Sequence, residues 1–178
     1  MTSTRELEKT LPRYAPNNDK HRDVNLNWKY AIYSIAGLDV SGLKELEDAI
    51  NSDSLTVGMT TSSSSLAEQP DLAGHTLRDV YDLHIRTRDK NDWMDQLYFI
   101  VADQEDWKTR GLLVVHLDTG VDEEDNRIGV GRCGFDWADS WGANFSIGNT
   151  SWMDLKEEEQ HEWGGDDPYE AQSEQKKS

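Results

Sequence analysis

Apolar positions in the second half of the chain come in short dense runs separated by charge. Leu97, Tyr98, Phe99, Ile100, Val101 and Ala102 form one run, Leu112, Leu113, Val114, Val115 and Leu117 a second, and Ile128 and Val130 open a third. Runs of this kind have no polar face, so they predict strands buried on both sides by helices. The acidic link 118–126 makes antiparallel pairing of the second and third runs the simplest connection. The link 103–111 holds two helical turns over 104–110 and is short for a parallel crossover, which needs about ten residues or more including its helix. The direction of the first pair is therefore left open.

Upstream the period changes. Trp28, Tyr30 and Ile32 alternate with Lys29, Ala31 and Tyr33, which predicts a first strand from about Leu26 to Gly37. Leu43, Leu46 and Ile50 then recur at helical spacing, capped by Asp39 or Ser41, and predict a helix ending near Asn51. Residues 55–59 read as a brief edge strand and residues 60–74, with four consecutive serines and Pro70, as a long loop. Thr76 caps an amphipathic helix with Leu77, Val80, Tyr81, His84 and Ile85 on its apolar face. Residues 137–141 make a short helical turn, and Asn149 or Ser151 caps a last helix through Trp152, Leu155 and Trp163. The expected fold is a single α/β domain over residues 24–163, with α+β as the alternative, built on a central mixed sheet of four or five strands with packed helices. Residues 1–23, polar and carrying Pro12 and Pro16, read as a flexible arm, and 164–178 as a disordered acidic tail.

Charge narrows the partners. A formal net charge of −17 opposes binding to a phosphate backbone, which requires clustered Lys and Arg, so no nucleic acid is expected. The same field attracts basic proteins. No stretch approaches the roughly 18 apolar residues of a membrane span, and no membrane partner is expected. Cys133 is the only cysteine, which fits a reducing compartment and a cytoplasmic location, with the nucleus as the alternative. Oligomeric state is left open.

Four groups of residues carry candidate chemistry. Asp103 and Asp118 each end a predicted strand, where ligands of α/β sheets often bind. In parallel strands they would share an edge as acid and base; in antiparallel strands they would not. The competing role for Asp103 is to cap the helix after it. The turn Asp118, Asp122, Glu123, Glu124, Asp125 lacks the alternating ligands, glycine and closing glutamate of a calcium loop. No metal and no cofactor is expected, and Asp118, Asp122 and Asp125 are the residues that would supply oxygens. Cys133 with His84 or His116 would make a nucleophile and base, but a buried cysteine and a core histidine are the ordinary readings. Of the seven tryptophans, Trp28 and Trp152 are assigned to the core. Trp137 and Trp141, among Asp136 and Asp139, are assigned to a partner-binding surface. Gly129 to Gly134 lacks the spacing of a phosphate loop.

The runs FIVADQEDW and LLVVHLD and the stretch WGANFSIGNTSWMDL together resemble a small α/β domain family of unknown function found in bacteria and fungi. That family shows a strand ending in Ala-Asp, a following apolar strand and a late Asn-x-Ser-x-x-Asn segment. The matching positions are Ala102 and Asp103, residues 112–117, and Asn144, Ser146 and Asn149, all within Phe99 to Leu155. The family's arginine after the second strand is displaced by the insertion at 122–126. The resemblance implies an α/β fold and no catalytic residue. The expected function is a non-enzymatic, acidic protein-interaction module for a basic partner. One alternative is a small hydrolase-like or metal-binding enzyme using Asp103 and Asp118. Another is an immunity-like inhibitor of a cationic nuclease.

Overall fold

The structure, a computed structural model, describes residues 2–21, 23, 25, 27–56, 63–120 and 127–164. In chain order its elements are α1 (Thr4–Glu8), a 3-10 turn (Asn18–His21), β1 (Lys29–Ser34), α2 (Val40–Thr56), β2 (Ser64–Asp71) and α3 (Leu77–Arg88). Then follow β3 (Met94–Ala102), α4 (Trp107–Arg110), β4 (Leu112–His116), β5 (Gly129–Cys133), a 3-10 turn (Phe135–Trp137), α5 (Ala138–Ser146) and α6 (Trp152–Trp163). The strands form one mixed sheet in the order β2-β1-β3-β4-β5, so the α/β class holds, with five strands. β1 runs parallel to β2 and β3, while β4 is antiparallel to both β3 and β5. The open direction is thereby decided: Val101 lies opposite Leu113 and Tyr98 opposite His116. Only one short helix separates β3 from β4, too little chain to return to the starting edge.

Strand alternation sends side chains to two cores. On one face Tyr33, Phe99, Val101, Leu113 and Val115 pack beneath Leu77, Val80 and Tyr81 of α3. On the other, Ile32, Tyr98, Ile100 and Val114 pack beneath Leu46 and Ile50 of α2 and Trp152 and Leu155 of α6. The glycines of β5 serve this second face. A Cβ on Gly131 would lie 2.3 Å from Leu155 Cδ2 and one on Gly129 2.5 Å from Trp152 Cε2. The glycine repeat is thus a seat for α6.

Several sequence expectations are corrected. Leu55 lies in α2, residues 57–59 fall outside the described residues, and the edge strand is β2, inside the segment expected to be a loop. β2 is polar because it is held by side chains of α2. The Asn51 amide donates to Ser64 O and accepts from Ser64 N (2.9 and 3.0 Å), and Glu47 Oε1 accepts from Leu66 N (3.0 Å). The segment expected as a flexible N-terminal arm carries α1, with Leu11 and Ala15 buried in the first core. It covers the free edge of β5. Val130 N donates to Glu8 Oε2 at 3.1 Å and Ile128 N to Arg13 O at 2.9 Å. From α6, Lys156 Nζ donates to Val130 O at 3.1 Å, and Thr4 Oγ1 to Glu159 Oε1 at 2.6 Å. An exposed edge strand would otherwise leave its backbone groups open to other chains. Trp152 is core as expected, Trp28 is only half-buried, and Trp107 joins the core. The expected tail 165–178 lies outside the described residues.

Candidate functional site

Where β5 ends, the chain turns through Gly134 into α5, and Trp137 N donates to Gly134 O at 3.0 Å. The turn is tight: a Cβ at Gly134 would stand 2.6 Å from Asp136 Oδ1. Trp137 and Trp141 follow one helical turn apart. Across from them, α6 starts at a Ser151–Asp154 capping box, in which Ser151 N donates to Asp154 Oδ2 at 2.7 Å. Leu155 pins that helix to the glycine face of β5, and Glu158 and Glu162, three and seven residues on, come up beside Leu155 on the helix surface. Between the two helices lies a cleft of about 230 Å³ lined by Cys133, Gly134, Trp137, Trp141, Glu158 and Glu162.

The aromatic wall is anchored at one end and free at the other. Trp141 stacks on Phe145 at 5.8 Å between ring centroids, and Phe145 packs on Trp152 at 5.7 Å. Gly142 lets α5 sit on the sheet, since a Cβ there would be 2.8 Å from the rings of Tyr30 and Tyr98. Trp137, by contrast, is 60% exposed. On the acidic wall, partial burial and the neighbouring charges of Glu158 and Asp136 hold the Glu162 carboxyl above its ordinary value, opposed by His161. Like charges one turn apart on a helix repel, so a cation entering the cleft relieves a repulsion already present.

Of the residues expected to bind a partner, Trp137, Trp141 and Asp136 are at or beside this cleft. Asp139 is not. It is buried and accepts from Ser63 Oγ at 2.7 Å, because the residue after Ala138 turns inward on α5. Glu158 and Glu162 were not singled out from the sequence: they sit in a run of acids, and only the packing of α6 distinguishes them from Glu157, which is exposed elsewhere, and Glu159, which is buried. Comparison of the chain with protein-family models, curated proteins and solved structures finds no match.

The other candidates are separated by the fold. Asp103 and Asp118 follow neighbouring antiparallel strands and so lie at opposite ends of them, which removes the acid–base pair. Asp103 is instead paired with Arg132, at 2.9 Å from Nη1 to Oδ1 and 2.7 Å from Nη2 to Oδ2, with side chains only 8% and 2% exposed. Nor does it cap α4, whose N-cap residue is Asp106. Asp118 N donates to His116 Nδ1 at 3.0 Å. Asp122 and Asp125 fall outside the described residues, and among the described residues no three acidic, histidine or cysteine side chains are placed to share a metal ion.

Cys133 is buried, and burial together with Glu159, Asp136 and Glu162 pushes its thiol far up, so it stays protonated. His84 belongs to the opposite core, bonded to Tyr33 Oη at 3.0 Å, with burial and then Arg88 pushing it down to about 3. His116 pairs with Gly129, at the far end of β5 from Cys133, and burial pushes it down to about 4. No nucleophile and base meet. The positions behind the family resemblance close α5: Asn144 Nδ2 donates to Ser140 O, Ser146 Oγ to Gly142 O, and Asn149 Nδ2 to Asn144 Oδ1, all within 2.9 Å.

Proposed function

We propose that this protein is a non-enzymatic interaction module that binds a basic protein through the cleft between α5 and α6. The observation that carries the reading is Trp137, 60% exposed at the mouth of a cleft whose other wall is Glu158 and Glu162. An exposed indole gives a partner a large apolar contact at little entropic cost. The carboxylates and the net charge of −17 select the sign of that partner and speed its approach. Separation of Asp103 from Asp118, and of Cys133 from both histidines, favours binding over catalysis.

The reading is tested by titrating the full chain with a fluorescent, mixed Lys/Arg peptide and following anisotropy. Binding is expected at low salt, weakening steeply as salt rises. Trp137→Leu, which keeps apolar volume but removes the ring, is expected to weaken it by about tenfold, the lower range of an interface anchor. Binding that ignores this substitution, or none at any salt, would overturn the proposal.

A further inference from the structure

We infer that the cleft receives one arginine side chain of the partner, its guanidinium lying on the Trp137 indole and its N–H groups directed to Glu158 and Glu162. This rests on the binding-module reading and narrows it to one side-chain chemistry.

The lining of the cleft supports it, since an exposed Trp137 faces Glu158 and Glu162 across it. Several acids at the surface pair with cations of this same chain: Glu45 with Lys108, Glu47 and Asp48 with Lys44, Asp82 with Arg78 and Asp106 with Arg110. The exposed ring of Tyr14 lies under Arg13, and the buried rings of Tyr81 and Trp107 lie under Arg78 and Lys108. Among the described residues no Lys or Arg pairs with Glu158 or Glu162, and none lies over Trp137 or Trp141. Among the described residues the cleft therefore combines an indole face with two carboxylates that no Lys or Arg satisfies, an arrangement suited to a cation from another molecule.

Guanidinium fits this arrangement better than ammonium for three reasons. It is planar and stacks on an indole, which an ammonium does only as a point charge. Its donors point outward in a fixed fork, so one group reaches two acceptors set one helical turn apart. It is also the more weakly hydrated cation, and the floor at Cys133 and Gly134 offers little to replace a shed hydration shell. Cys133 is protonated and neutral, so it adds no competing charge.

The test uses the full chain and two capped peptides that are neutral except for one central residue, arginine in one and lysine in the other. Indole N–H resonances report the site. The arginine peptide is expected to shift the Trp137 and Trp141 signals and to bind about three- to tenfold tighter than the lysine peptide. Trp137→Leu, and separately Glu158→Gln with Glu162→Gln, are expected to abolish that preference. All three residues are exposed, and unchanged resonances from the core tryptophans Trp107 and Trp152 verify that the variants are folded. Equal affinity for both peptides at the cleft overturns the arginine assignment while leaving the module reading intact. If neither peptide moves the indole signals, the assignment falls. If, in addition, the mixed Lys/Arg peptide binds the Trp137→Leu chain unchanged, the module reading falls with it.

Discussion

The Asp103–Arg132 pair shows how one residue's role depends on its partner across the sheet. The guanidinium reaches past the start of β4, where it also donates weakly to Arg110 O and Gly111 O (3.4 and 3.5 Å), and both carboxylate oxygens are used. Removing one member leaves a buried charge without compensation, which costs about 3–5 kcal/mol. Arg132→Met is therefore expected to lower unfolding free energy by that order in urea denaturation. The double change Asp103→Leu with Arg132→Met should recover most of the loss, since no lone charge remains. A double variant as unstable as the single one would show that Arg132 matters through packing. Asp103 was conspicuous in the sequence as a strand-ending acid, yet its partner lies 29 positions away. No local pattern links the two. Trp137 was legible because an aromatic beside two aspartates, in a short turn, has little core to enter. Glu158 and Glu162 were not, since identical residues on one helix differ only in what faces them.

At the scale of elements, the edges of the sheet were the hardest to read. β1, β3, β4 and β5 announce themselves by apolar or β-branched runs. β2 does not, because an edge strand needs little burial and its backbone is satisfied by Asn51 and Glu47. The N-terminal segment was similarly obscured: its few apolar residues, Leu7, Leu11 and Ala15, suffice only because a preformed sheet is there to receive them. Its contacts with β5 lead to a prediction about assembly. Deleting residues 1–21 removes the Glu8 acceptor and the Arg13 carbonyl from the β5 edge and uncovers apolar surface. The truncated chain is expected to self-associate with rising concentration in sedimentation or light scattering, while the full chain does so less. Equal behaviour of the two chains would mean that α6 alone protects the edge.

For the whole molecule, pH acts through buried groups with opposite signs. His84 and His116 are held neutral in the fold at about 3 and about 4, whereas the unfolded chain protonates both near 6.5. Below that pH the unfolded state takes up protons that the fold refuses, and each histidine removes about 1.4 kcal/mol per pH unit until its folded value is reached. Asp95 works the other way. Burial raises it to about 6 against two backbone N–H bonds from Leu97 and Tyr98, so its ionisation weakens the fold above pH 6 and the penalty fades between pH 6 and about 3.9. Asp95→Asn keeps an acceptor for those bonds. It is expected to stabilise the protein by about 1–2 kcal/mol at pH 8 and by nothing at pH 4, measured by denaturant unfolding at each pH. A gain that persists at pH 4 would assign the effect to packing. The sequence by itself determined the α/β class, the two core helices around Leu46 and Val80, the acidic character and the position of Trp137, because periodicity and charge are local or additive properties. The tertiary structure alone decided strand direction, the separation of Asp103 from Asp118, the covering of β5 and the meeting of two tryptophans with two glutamates. Those depend on which distant segments the assembled sheet brings into contact, and neither composition nor spacing carries that information.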